Sequence, residues 1–152
     1  MTTHSIVDVL ASHHFTRTMS PANRTRLAEA AQLFEASPGE YLSREGDPAQ
    51  AFFLIESGNV EIGTDLDEPR SSAILRVGAG DVVGWSWLMS PYRWEFDARA
   101  VNTVNGIRFD AEWLRNQCEC DHDLGFQLTK QLLEVVSRRL AATRMHRPEH
   151  IH

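Results

Sequence analysis

The spacing of hydrophobic positions changes twice along this chain. Near the start, Ile6, Val7, Val9 and Leu10 fit a short helix ending around His13 and His14. Ser20-Pro21 then reads as an N-cap followed by proline in the first helical position, and Leu27, Ala28, Ala30 and Ala31 carry a second helix to about Leu33. From Phe34 turn formers take over: Pro38-Gly39, Glu45-Gly46-Asp47-Pro48, Ser57-Gly58, Asp65 to Pro69, Gly78-Ala79-Gly80 and Asn105-Gly106. Between them lie short β-prone runs, namely Tyr41-Leu42, Ala51 to Ile55, Asn59 to Gly63, Ala73 to Val77, Trp94 to Val101 and Ile107 to Phe109. That alternation predicts an antiparallel sandwich or barrel, with Ser57-Gly58 read as a hairpin turn between Phe52 to Ile55 and Val60-Glu61-Ile62. After Phe109 the helical period returns. Asp110 can cap a helix through Ala111, Trp113 and Leu114 to about Gln117, and Asp121 or Asp123 can cap a longer one to about Arg144. The resulting layout is N-terminal helices over 1–33, a β-roll over 34–109, C-terminal helices over 110–146 and a fraying polar tail over 147–152.

A chain of 152 residues fits one domain with one core. No apolar run approaches the ~20 residues of a membrane span. The N-terminus lacks the basic and apolar regions of a secretory signal, and the two cysteines, Cys118 and Cys120, stand too close together for an ordinary disulfide. Both features point to the cytoplasm. The net charge of −6 and the scattered arginines and lysines argue against direct DNA binding, which draws on neutralised phosphates.

Candidate catalytic chemistry is sparse. His4, His13, His14, His122, His146, His150 and His152 all fall outside the predicted strands, so no metal centre is expected inside a barrel. Cys118-Glu119-Cys120-Asp121-His122 lacks the spacing of a structural zinc site and reads as a turn between helices. No nucleophile stands at a recognisable distance from a base, and the chain is read as a non-enzyme with no catalytic residues and no metal or cofactor of its own.

The most distinctive stretch is Gly84 to Ala100, GWSWLMSPYRWEFDARA, with three of the four tryptophans. Its surroundings carry a resemblance. Pro38-Gly39-Glu40-Tyr41-Leu42, Glu45-Gly46-Asp47, Phe53 to Val60, Gly78-Ala79-Gly80-Asp81-Val82-Val83-Gly84 and Ala98-Arg99-Ala100, in that order, resemble the cyclic-nucleotide-binding domain of the catabolite-activator (Crp/Fnr-like) type over roughly residues 15 to 145. The resemblance implies an α+β, mainly β fold: an antiparallel β-roll or jelly roll with N-terminal helices and two C-terminal helices. It also implies a phosphate-binding cassette over 84–100, where a Glu beside the glycine takes the ribose 2′-hydroxyl and an Arg pairs with the cyclic phosphate. Those two positions are Trp85 and Trp94 here. Losing such an arginine contact costs on the order of 2 to 5 kcal/mol. Arg93 is adjacent, but on a strand a shift of one residue reverses the face, so it replaces the missing Arg only if the loop bulges.

Gly84, Trp85, Ser86, Trp87, Arg93 and Trp94 are therefore the candidate ligand residues, for a cyclic nucleotide or another small ligand. The tryptophans either form an aromatic box or fill the space a nucleotide would take. Leu128, Leu132, Val135, Val136 and Leu140 form an apolar stripe on the last helix. By resemblance that helix pairs with its mate, implying a homodimer. Relatives of the activator type place a helix-turn-helix domain after it, which this chain does not contain. The expectation is a stand-alone regulatory or sensor protein acting through an unidentified protein partner, with cyclic-nucleotide binding weakened or lost. The alternatives are a true cAMP, cGMP or other small-ligand sensor using Arg93 and the tryptophans, and a ligand-free dimeric adaptor.

Overall fold

The computed structural model describes residues 3–67 and 73–145. The predicted tail over 147–152 and the end of the Asp65-to-Pro69 turn lie outside the described residues. The elements in chain order are α1 (Thr3–Ser12), α2 (Pro21–Ala28), β1 (Ala31–Ala36), β2 (Tyr41–Ser43), β3 (Ala51–Ser57), β4 (Val60–Gly63), β5 (Leu75–Val77), β6 (Val82–Val83), a 3₁₀ turn (Ser86–Leu88), β7 (Asp97–Ala100), β8 (Val104–Asp110), α3 (Ala111–Cys120) and α4 (His122–Met145). All strand pairs are antiparallel. They form two four-stranded sheets, β1-β8-β3-β6 and β2-β7-β4-β5, the predicted β-roll.

Side-chain alternation builds two cores on one sheet. Along β3, Phe52 and Leu54 point outward with Ile107 and Phe109 of β8 and meet the helices, whereas Phe53 and Ile55 point between the sheets with Val60, Val77 and Val104. Residues 51–55 are all buried because both faces of the strand are covered.

The caps follow the sequence. The Ser20 side chain accepts from Asn23 N–H, Asp110 from Trp113 N–H and Asp121 from Leu124 N–H, satisfying backbone donors that a helix start leaves open. α2 is tied to α4 through Asn23, whose amide donates to Asp123 (3.0 Å) and Gln127 (2.8 Å).

Two expectations need correction. The second helix stops at Ala28, and residues 31–36, the first of which the sequence pattern assigns to that helix, pair with β8 from Ala31↔Phe109 to Ala36↔Val104. The helix-favouring alanines are overridden by a long edge ladder. Ser57-Gly58 is a turn but not a hairpin: β3 and β4 belong to different sheets, and the chain crosses between them there. Another crossing, between β7 and β8, lies alongside. Asn59 N–H donates to the Asn102 side chain (2.7 Å), Asn102 returns a bond to the Asn59 carbonyl oxygen of its amide (3.0 Å), and Val101 N–H donates to the Asn59 main chain (2.8 Å).

Candidate functional site

The cassette begins where β6 ends. Gly84 has φ +89°, a region that L side chains avoid, and a Cβ built there would overlap the Trp94 ring. Glycine is therefore required twice at this position, for backbone conformation and for the indole lying on it. Trp85 precedes the 3₁₀ turn, and the loop reverses through a cis Ser90–Pro91 peptide and Tyr92 (φ 59°). Its returning arm pairs with the β2–β3 loop: Trp94 N–H donates to Asp47 (2.9 Å), Gly46 N–H to Trp94 (2.8 Å) and Ala49 N–H to Tyr92 (2.8 Å).

That pairing fixes the direction of Arg93. Opposite Pro48 in an antiparallel bridge, its side chain turns away from the roll, donates to the Gly46 carbonyl (2.9 Å) and is exposed. Arg93 does not line the cassette cavity, because without a bulge the alternation of the strand directs Trp94 inward and its neighbour outward.

The tryptophans separate. Trp87 is fully buried against Phe52 (ring centres 5.7 Å) on the helix side of the sheet, so it is core and takes no part in an aromatic box. Its main-chain oxygen accepts from Arg115 of α3 (3.0 Å), whose guanidinium also lies 4.5 Å from the Tyr92 ring centre. Trp85 and Trp94 do line the cavity, with Ser43, Ile62, Val83, Gly84, Ser86, Phe96 and Ala98, and the exposed Glu95 stands on its rim. The volume is about 90 Å³.

A residue that sequence reasoning missed closes this cavity. Arg139 of α4 reaches back over the cassette, its guanidinium 5.0 Å from the centre of the Trp85 ring and donating to the Val82 carbonyl. Burial lowers its pKa to about 10, with Arg138 adding to the drop and the nearby Asp81 carboxylate opposing it. It remains a cation at neutral pH. The signal was present in the register of α4: Leu124, Leu128, Leu132 and Val135 are buried at four-, four- and three-residue steps, and Arg139 is the next position of that series.

The stripe expected to face a mate divides accordingly. Leu128, Leu132 and Val135 are buried in the core that α4 shares with its own roll, so they are already covered within the chain. Val136 and Leu140 face outward, joined by two residues outside the predicted set, Phe126 and Leu133.

One further polar contact ties the N-terminal helices to the roll. His13, at the end of α1, is buried with Nε2 against the Ile55 carbonyl (2.9 Å), while its Nδ1 accepts from Phe15 N–H (3.0 Å). This arrangement needs the neutral ring, and burial accordingly holds the His13 pKa below 6.5.

The family model for the cyclic nucleotide-binding domain matches residues 33–121, more than half of the chain, which therefore belongs to that family. A CRP-like cAMP-activated global transcriptional regulator of Mycobacterium tuberculosis is 25% identical over 136 residues, covering 90% of this chain and 59% of the regulator. The acetyltransferase Pat of Mycolicibacterium smegmatis is 30% identical over 135 residues, or 88% of this chain and 38% of the enzyme. A solved protein of the cyclic-nucleotide-binding type from Geobacter metallireducens superposes with a TM-score of 0.79 at 24% identity, over 88% of this chain and 96% of its own, a likeness of fold. The chain thus spans somewhat more than half of the regulator and a smaller part of the enzyme. No described helix is long and apolar enough to cross a membrane.

Proposed function

We propose that this chain is a regulatory module of the cyclic-nucleotide-binding family whose cassette is closed by its own side chains, so that α4 is held on the roll without a nucleotide. The observation that carries this reading is the cavity of about 90 Å³ left between Trp94 on Gly84 and Arg139 on Trp85. Small-molecule sites typically measure about 300–1,000 Å³. The cassette contributes no arginine to the cavity, since Trp94 stands where the phosphate partner would be and Arg93 points out.

The output surface is the outward face of α4. Phe126, Leu133 and Leu140 recur at seven-residue intervals with Val136 between them, the pattern of a two-stranded coiled-coil seam, which supports a homodimer or a helical protein partner. A non-catalytic, cytoplasmic role is part of the same proposal. Tryptophan fluorescence with cyclic AMP and cyclic GMP tests it, because Trp85 and Trp94 border the cavity: no saturable change is expected, and saturation at micromolar nucleotide rejects the closed cassette.

Family membership supports a second reading, in which Arg139 and the indoles swing aside to admit a cyclic nucleotide or another small ligand and α4 moves with them. The same titration decides between the two.

A further inference from the structure

Trp94 borders two cavities, and the one away from the cassette is the larger. It is a cleft of about 360 Å³ within the range typical of small-ligand sites, with Tyr41 of β2, Arg44 just after it, Phe53 of β3, Arg108 of β8 and Trp94 among its walls. Its origin lies in a cross-strand row on the inner face of the first sheet, Gln32–Arg108–Phe53–Val83. One row along, Gly106 has no room for a side chain, since a Cβ there would overlap the Leu54 carbonyl, and Phe34 packs across it onto Phe53 (ring centres 4.9 Å). At the next row the apolar filling ends in an arginine.

Arg108 projects from the inner face of β8 beside Gln32, at the end of an otherwise apolar row, and among the described residues no carboxylate or carbonyl pairs with its guanidinium. A part-buried guanidinium in such a place is stabilised by an anion that satisfies its fork of donors. The other cation of the cleft, Arg44, is already engaged: it lies 4.0 Å from the centre of the Tyr41 ring and 3.7 Å from both Asp67 and Asp97. Asp47 is exposed on the rim. The aromatic lining from Tyr41, Phe53 and Trp94 suits a ring.

We infer that this cleft is a binding site for a small planar anion, an aromatic or heterocyclic ring bearing a carboxylate or phosphate, held by Arg108 at its anionic group and by Tyr41 and Trp94 at its ring. The site lies on the opposite side of Trp94 from the cassette cavity and shares that one wall with it.

The test is a backbone and arginine side-chain NMR titration with two charged probes, AMP and benzoate, against their neutral counterparts adenosine and benzamide. The charged probes are expected to shift the Arg108 Nε–H and the amides of Tyr41 and Phe53. Arg108→Gln should weaken them by about tenfold or more, as loss of a charged hydrogen-bond partner does. Arg108→Lys should retain part of the affinity and Arg139→Gln all of it. Equal binding of charged and neutral probes, shifts confined to Gly84 to Ser86 and Arg139, or no binding of either charged probe would each overturn the proposal. The neutral-probe comparison uses the unaltered chain, so it stands even if Arg108→Gln fails to fold.

Discussion

The two faces of α4 share one helix and one amino-acid vocabulary, yet they end differently. The inward face, Leu124, Leu128, Leu132 and Val135, is covered by the chain's own roll and finishes in Arg139 over the cassette. The outward face, Phe126, Leu133, Val136 and Leu140, stays at 36% to 67% exposure. Apolar area in itself does not distinguish them. The inward face is completed by groups this chain supplies, whereas the outward face needs a second molecule to leave water. On the proposed reading the inward face governs stability and the state of the cassette, and the outward face governs assembly.

The largest effect that can break this division is a cavity on the inward side. Leu128→Ala should cost about 2–5 kcal/mol in chemical denaturation, because Leu128 is 1% exposed in a packed core. A cost below about 1 kcal/mol would place that face near solvent. Arg139→Ala comes next, at about 1–3 kcal/mol through the lost carbonyl bond, indole contact and stem packing. Its sharper readout is hydrogen exchange, which should accelerate in α4 and in the Gly84 to Leu88 segment together; acceleration in only one of them would separate the latch from the cassette.

His13 sharpens the comparison from the other end of the molecule. Its folded pKa lies below the ordinary 6.5, so between the two values the unfolded chain binds more protons. The stabilisation is complete above about pH 6.5 and declines as pH falls below it toward the folded value. Melting temperature should therefore drop on acidification from about pH 7.5 to 5.5, and His13→Gln should flatten that dependence while lowering the baseline. An unchanged slope in the variant would assign the acid sensitivity elsewhere.

On the outward face, Leu133→Asp with Leu140→Asp should alter monomer stability by no more than about 0.5 kcal/mol per site, as exposed substitutions do. If this face is the seam, the pair should convert a sedimenting dimer to a monomer. A wild-type chain that is monomeric at tens of micromolar would remove the homodimer and leave the face to a different protein.

Much of this architecture was legible in the residues. Turn signals at Pro38-Gly39, Gly46-Asp47 and Gly78 to Gly80, with caps at Ser20, Asp110 and Asp121, fixed the order of elements because each rests on local chemistry. β1 was hidden, since Ala30-Ala31-Gln32-Leu33 has helical propensity and becomes a strand only by pairing with β8. The sheet change at Ser57-Gly58 was hidden for a similar reason, as it depends on Asn59 meeting Asn102. Within the cassette, Trp85 and Trp94 could be placed through the family resemblance. Arg139 was legible only through the register of α4, since beside Arg138 it resembles an ordinary solvated charge until the helix is docked.

On the proposed reading the cassette is filled from within. Isothermal titration of the wild-type chain with cyclic AMP and cyclic GMP tests it most directly. No binding heat is expected up to about 1 mM nucleotide, an affinity no better than about −4 kcal/mol. A saturating isotherm with a micromolar dissociation constant would contradict it.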